Sequence, residues 1–96
     1  LVVLTGCGHA GVVDTLKCAR EMTGVNSIHA VIGGFHLTGP LFEPIIQPTV
    51  QALKEFNPGV IVPQHCTGWK ATHLIAREFA SAFVPNSVGT TMVIGA

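Results

Sequence analysis

The sequence predicts a single α/β domain. Three observations support this: short apolar strand candidates alternate with amphipathic helix candidates, each strand candidate ends near glycine or proline, and 96 residues suffice for one domain. Hydrophobic residues make up 48% of the chain and charged residues only 10%. Since both values lie far from the average for globular proteins, the chain either buries almost all of its surface or lacks a partner that would cover it.

The first half of the chain predicts two strands separated by a helix. Residues 1–5 are a continuous β-rich apolar run that ends at Gly6, which is typical of a buried strand. Residues 11–23 predict a helix that ends at Gly24. Its apolar stripe consists of Val12, Leu16, Ala19 and Thr23. Residues 28–32 predict a second buried strand, which ends at the pair Gly33-Gly34.

The second half repeats the alternation after a proline-bearing loop over 38–48. Helices are predicted from Val50, Leu53 and Phe56 at helical spacing, and over 68–79 from Thr72, Ile75, Ala76 and Phe79. A third strand is predicted over 60–62, closed by Pro63. Residues 87–94 are rich in β-branched side chains and predict a last strand.

Composition excludes several classes of partner. Five basic and five acidic residues cancel, so no electrostatic footprint for nucleic acid or an anionic membrane is present. No apolar run approaches the ~20 residues of a membrane helix. The three cysteines, Cys7, Cys18 and Cys66, contain no C-x-x-C pair, which disfavours a disulfide framework or a thiolate zinc knuckle. We therefore expect a protein of the reducing cytoplasm that binds neither nucleic acid nor membrane.

Three histidines follow predicted strands in the same way. His9 follows Thr5-Gly6-Cys7-Gly8, His36 follows Gly33-Gly34-Phe35, and His65 follows Pro63-Gln64. If the strands run parallel, their carboxyl ends meet at one edge of the sheet, where α/β folds place their sites. Imidazole is the commonest metal ligand in proteins. The pattern therefore predicts a metal site made of His9, His36 and His65.

A single histidine at a strand end is more often a surface or hydrogen-bonded residue than a ligand. Its repetition at three matching positions favours the metal site. His29, inside the second predicted strand, and His73, inside the last helix, are better explained as structural, although His73 would also suit a residue that supports a ligand.

The glycines Gly6, Gly8 and Gly11 leave an alternative open. They spell G-x-G-x-x-G between a strand and a helix, which is the dinucleotide-binding fingerprint. The acidic residue that confirms this fingerprint is missing, because no Asp or Glu occurs between Glu21 and Glu43. The alternative function is a small nucleotide- or phosphate-binding module at this loop.

Two cysteines lie close to these histidines in sequence. Adjacent residues of an extended segment point to opposite sides, so His65 is not expected to act on Cys66, whereas a couple of Cys7 with His9 is conceivable. Packing of small thiols beside a metal site is the preferred interpretation. Among their neighbours, Gly8, Phe35 and Trp69 are the candidates for contact with a substrate.

The segments TGCGHAG (5–11), IGGFHL (32–37) and VPQHCTGW (62–69), followed by NSVGT (86–90), resemble the metallo-β-lactamase-fold superfamily. The branch is that of the dihydropterin-ribofuranosylaminobenzene-phosphate synthases of the methanopterin pathway. The resemblance covers the whole chain. It implies half of an αββα sandwich, with a mixed sheet and helices on one face, and one or two metal ions, usually zinc, at the sheet edge.

The resemblance also implies roles for the three histidines. His9 matches the lone histidine after the first metal motif, and His65 matches the final histidine. His36 stands where most of the superfamily has a bridging aspartate. The hallmark H-x-H-x-D-H does not occur in the chain, so we expect residues 1–96 to be the C-terminal half of such a domain.

The same resemblance implies an activity for the full-length protein. We expect a metal-dependent hydrolase or transferase that acts on a small phosphate- or pterin-bearing substrate. The identity of its catalytic acid or base is left open. The 96-residue chain alone, without its N-terminal half, is expected to be inactive.

Overall fold

A computed structural model describes residues 1–95 of the chain. Three strands form one sheet, and each is followed by a helix. The strands are β1 (Val2–Thr5), β2 (Ala30–Gly34) and β3 (Val60–Gln64), and the helices are α1 (Val12–Thr23), α2 (Ile46–Phe56) and α3 (Trp69–Glu78). Short 3-10 turns at Glu43–Ile45 and His65–Thr67 precede α2 and α3.

The sheet has the order β1-β2-β3, and both strand pairs are parallel. Val3, Val31 and Ile61 lie side by side in this register. Because parallel neighbours need a crossover connection, α1 and α2 join the three strands. The carboxyl ends of all three strands therefore lie at one edge.

The core lies between one face of the sheet and the three helices. Val3, Val31 and Ile61 point to this face, in agreement with the two-residue period of strands. The helices contribute buried side chains that complete the same cluster: Val12 and Leu16 from α1, Val50 and Leu53 from α2, and Ala71 and Ile75 from α3.

The opposite face of the sheet is only partly covered. Ala30 and Val62 are buried there, but on β1 the side chains of Val2 and Leu4 are 44% and 71% exposed. Neighbouring exposed apolar side chains are unusual on the surface of a folded domain. The three helices all pack on the other face, so they cover one face of the sheet, as the resemblance implied.

The structure confirms the α/β class and corrects several boundaries. The expected mixed sheet is parallel throughout residues 1–95, because β1, β2 and β3 run in the same direction. β2 begins two residues later than predicted and includes Gly33 and Gly34, which pair with β3. Pro63 lies inside β3 instead of closing it. It lies beyond the bridge between Ile61 and Phe83, where the missing N–H of proline is tolerated.

The predicted last strand, 87–94, is wrong. This segment has no strand pairing in the described chain, and the side chains of Val88 and Val93 are almost fully exposed. Its backbone contact is a turn in which the Thr90 N–H donates to the Ser87 carbonyl at 3.1 Å. β-branched residues favour a strand only where a neighbouring strand is available.

Within residues 1–95, no helix has both the length and the apolar character that crossing a bilayer requires.

Candidate metal centre

The three predicted histidines follow the three strands, and all lie at the carboxyl edge of the sheet. His65 comes directly after β3, His36 two residues after β2, and His9 in the loop between β1 and α1. The parallel register confirms the premise on which the sequence argument depended. The detailed arrangement of the imidazoles divides them into two groups.

His9 and His36 form a pair. Their ring centroids are 4.4 Å apart and the rings are inclined by 50°. The His36 ring also packs edge-on against Phe42, at a centroid distance of 4.6 Å. Its Nδ1 atom is buried without a hydrogen-bond partner among the described residues. A buried imidazole nitrogen without a partner is costly, so this atom suits a ligand.

His65 lies beside two cysteines. Its Nε2 is 3.2 Å from the Sγ of Cys7, and the ligand atoms of Cys7, His65 and Cys66 all lie within 4.8 Å of one another. The Cys66 thiol donates a hydrogen bond to the Cys7 carbonyl at 3.0 Å. Cys7 therefore contacts His65, whereas the sequence left a couple of Cys7 with His9 open as a possibility beside the preferred packing role.

Among residues 1–95, this cysteine–histidine cluster is the group whose ligand atoms meet the spacing expected around one ion. The assignment of His9, His36 and His65 together as ligands stays a prediction. Sequence reasoning expected small thiols to pack beside the metal site but, in the absence of a C-x-x-C pair, did not expect them as ligands. The signal was nonetheless present, since Cys7 and Cys66 follow β1 and β3, whose ends were expected to meet.

Two of the three histidines have a left-handed backbone. The φ angles of His36 and His65 are 51° and 56°. Residues other than glycine adopt this conformation rarely, and asparagine at the end of a helix, as in Asn57, is the ordinary exception. Backbone strain of this kind concentrates at functional sites.

A surface cavity of about 320 Å³ opens beside the histidine pair. Gly8 and Phe35, both predicted to contact a substrate, line it together with His9 and His36. A side chain on Gly8, whose φ is 71°, would collide with the Gly34 carbonyl oxygen, so glycine is required where the loop crosses β2.

Trp69, the third predicted substrate contact, lies elsewhere. Its side chain is 69% exposed and lines a separate cavity of about 30 Å³ with Gly68 and Lys70. The indole packs edge-on against His73 at a centroid distance of 5.6 Å. His73 thus contacts Trp69, and His29 is an exposed residue just before β2.

The alternative phosphate site at the glycine loop has one feature against it. Gly11 precedes α1, and the N-terminal amides of a helix favour anions. However, Asp14 lies in the first turn of α1 and lines the same cavity. A carboxylate at this position already interacts with the helix dipole and repels a phosphate.

Comparison with known proteins gives the site a context. No family model matches the chain. The chain is 40% identical over 83 residues to the 7,8-dihydropterin-6-methyl-4-(β-D-ribofuranosyl)-aminobenzene-5′-phosphate synthase of Methanocaldococcus jannaschii. That match covers 86% of this chain and 28% of the synthase.

The fold is also similar to a solved structure, the crystal structure of Tm1679, a metal-dependent hydrolase of the β-lactamase superfamily. The TM-score is 0.83 at 32% identity, over 99% of this chain and 36% of that one. The chain thus spans about a third of the length of the relatives it matches, and both relatives are enzymes. By sequence and by fold, the chain is therefore similar to one part of enzymes of the metallo-β-lactamase superfamily, a dihydropterin-ribofuranosylaminobenzene-phosphate synthase among them.

Proposed function

We propose that the chain is the C-terminal half of the metallo-β-lactamase-like domain of a metal-dependent enzyme, of the hydrolase or phosphate-ester synthase type, with His9, His36 and His65 as metal ligands. The observation that carries the proposal is the convergence of three strand-end loops, each with a histidine, at one edge of a parallel sheet. Metal dependence is a property of the similar hydrolase, and synthesis of a pterin phosphate is a property of the similar synthase.

The residues fit a metal ion. The His36 Nδ1 atom is buried without a hydrogen-bond partner, and His9 lies against the same ring with its side chain open to solvent. Neutral imidazoles suit zinc, which binds nitrogen at about 2.0–2.1 Å. When bound, zinc activates water or polarises a phosphate oxygen.

The cavity beside the histidine pair suits a small-molecule substrate. Its volume of about 320 Å³ lies at the lower end of the usual range of ligand pockets. The half-buried Phe42 gives it an aromatic wall on which a flat ring such as a pterin would pack. His9 and His36 hold polar atoms at its rim. We propose a phosphate- or pterin-bearing substrate for this cavity.

The partly exposed face of the sheet supports the proposal that an N-terminal half of the domain packs against this chain. Val2 and Leu4 on β1 leave apolar surface that the second sheet of an αββα sandwich would cover. The chain also spans only 28% and 36% of the two relatives. We propose that the N-terminal half of the same domain packs here, and that the 96-residue chain alone is inactive. The odd number of cysteines leads us to propose a cytoplasmic location.

The test uses the protein encoded by the complete gene, with alanine at His9, His36 or His65 in turn. Each substitution should lower bound zinc, measured by mass spectrometry, and hydrolysis of an aryl phosphodiester probe by ~100-fold or more, as loss of a group that acts in the reaction does. His29→Ala is the matched control, because that histidine is exposed and lies outside the site. Full zinc content and activity in all three variants would refute the ligand assignment.

A further inference from the structure

The loops after β1 and β3 bring two thiols and an imidazole together. Cys7 comes from the first loop, and His65 and Cys66 come from the short 3-10 turn after β3. The Cys7 Sγ and His65 Nε2 atoms are 3.2 Å apart, and the Cys66 Sγ lies within 4.8 Å of both. Cys7 and Cys66 are half-buried and His65 is exposed, so an ion from solvent can reach the cluster.

Gly34, at the end of the middle strand, makes this approach possible. A side chain there would lie 3.1 Å from the Cys66 Sγ and 3.2 Å from the Cys7 Cα, and would collide with the Gly6 carbonyl oxygen. With glycine in place, the Gly34 N–H donates to that carbonyl at 2.9 Å. The two loops therefore close over the end of β2 at Gly34, where there is no side chain.

The spacing of the three ligand atoms is close to that around one ion. Zinc binds sulfur at about 2.3 Å and nitrogen at about 2.0–2.1 Å in tetrahedral geometry, so its ligand atoms stand about 3.5–3.8 Å apart. The observed 3.2 Å and the limit of 4.8 Å bracket these values. Small side-chain rotations are enough to bring the three atoms onto one cation.

We propose that Cys7, Cys66 and His65 bind a thiophilic divalent cation such as zinc, with two sulfur ligands and one nitrogen ligand and a fourth position open to solvent. The proposal deepens the proposed function, on which it rests for a metal at His65, because it gives the ion at His65 two sulfur ligands and separates that ion from one at the His9–His36 pair. Thiolates favour soft and borderline metals over magnesium or manganese. The site would therefore select zinc over those hard cations.

The test is a cobalt titration of the 96-residue chain, kept reduced by a phosphine that brings no thiol. Cobalt replaces zinc in such sites, and its thiolate ligands give a sulfur-to-metal charge-transfer absorption. The wild-type chain should show this band. Cys7→Ser and Cys66→Ser should each weaken the band and raise the Kd by at least ~10-fold, the lower limit for loss of a group that supports a metal ligand. His65→Ala should raise the Kd while leaving the sulfur band visible at saturation.

The controls separate this proposal from the histidine site. Cys18→Ser removes an exposed thiol of α1 outside the cluster and should leave the band and the Kd unchanged. His9→Ala should also leave the sulfur band unchanged. If Cys66→Ser fails to fold by circular dichroism, Cys7→Ser carries the test, since the Cys7 side chain donates no hydrogen bond to the backbone.

Two results would overturn the proposal. Cobalt binding without a sulfur band, lost on His9→Ala or His36→Ala, would remove the cysteines as ligands and leave the proposed function standing. No cobalt binding by the folded wild-type chain would also refute it. The zinc content of the full-length histidine variants would then decide the proposed function separately.

Discussion

The imidazole rings of His9 and His36 lie with centroids 4.4 Å apart, although the two residues follow different strands. Phe42 closes the other side of the His36 ring at 4.6 Å. The arrangement leaves the His36 Nδ1 atom buried without a polar partner. Buried polar atoms of a protein core normally have a hydrogen-bond partner. The unpartnered Nδ1 atom therefore favours a ligand role over a packing role for the His36 side chain.

Gly34→Ala should destabilise the chain. The added methyl would collide with the Gly6 carbonyl and lie close to Cys66, and overpacking of this kind costs about 1–3 kcal/mol in the free energy of unfolding. Urea denaturation measures the change. Gly6→Ala is the matched control, because its methyl would meet no atom within 4 Å. Equal stability of the two variants would show that the loops do not close over β2 as described.

Replacement of either strained histidine by glycine should not lower stability. At the φ angles of His36 and His65, glycine relieves left-handed strain of about 1–2 kcal/mol. Glycine also gives the unfolded chain more conformational freedom, which lowers stability by about 0.4–1 kcal/mol. The free energy of unfolding, from chemical denaturation without metal, should therefore stay equal or rise.

His73→Gly is the comparison for these two variants. His73 lies inside α3, where glycine in place of histidine should lower the free energy of unfolding by roughly 0.5 kcal/mol. A larger loss in His36→Gly or His65→Gly than in His73→Gly would mean that the two histidines stabilise the fold and are not held there for binding.

Leu4→Glu should have different effects in two contexts. In the 96-residue chain the side chain is 71% exposed, so the substitution should change the free energy of unfolding by less than about 0.5 kcal/mol. In the full-length protein, where we propose that a second sheet covers this face, a buried charge should lower it by several kcal/mol. Leu41→Glu, at a position that is 86% exposed in a loop, is the control. Equal small effects of Leu4→Glu in both proteins would argue against the covered face.

An ion pair between two helices gives the stability a pH dependence. The Lys54 Nζ atom on α2 lies 3.0 Å from the Glu78 Oε2 atom on α3. The hydrogen bond from Lys54 and its positive charge lower the pKa of Glu78 below its ordinary value of 4.5. Because the pKa is lowered in the folded state, the stabilisation is present above pH 4.5 and is lost as the pH falls through the folded pKa.

Glu78→Gln should therefore lower the free energy of unfolding at neutral pH and have little effect once the pH is below the folded pKa. The effect should be small, since the pair is exposed to solvent. Denaturation at both pH values measures it, with Glu21→Gln, an exposed residue of α1, as the control. A loss that persists at acid pH would point to a packing role of Glu78.

The sequence predicted those parts of the fold that depend on local patterns. α1 and α3 were predicted within one residue of their ends, because glycine lies at both ends of α1 and before α3, and their apolar residues recur at helical spacing. β2 was misplaced because Gly33 and Gly34 were taken as its end, whereas their small size lets them pair closely with neighbours. The failed strand over 87–94 shows that β-branched composition does not create a strand without a neighbour.

The site was predictable at the level of the sheet edge but not of its atoms. The repeated pattern of a strand, then glycine or proline, then histidine located all three loops. The pairing of His65 with Cys7 depended on the left-handed backbone at His65 and on the closure of the loops over Gly34. Neither depends on sequence spacing, so the sequence pointed to thiols packed beside the metal site but not to the contact of Cys7 with His65.

The position of β1 at the rim of the sheet has a consequence for how the domain is completed. In residues 1–95, the outer backbone groups of β1 have no strand beside them, and such an edge accepts further strands. Additional strands, antiparallel ones included, would extend the sheet outward from Val2–Thr5. The loops that carry His36 and His65 follow β2 and β3, away from this edge, so they would not have to move. Growth from one side would thus enlarge the domain while leaving most of the preformed ligand geometry intact.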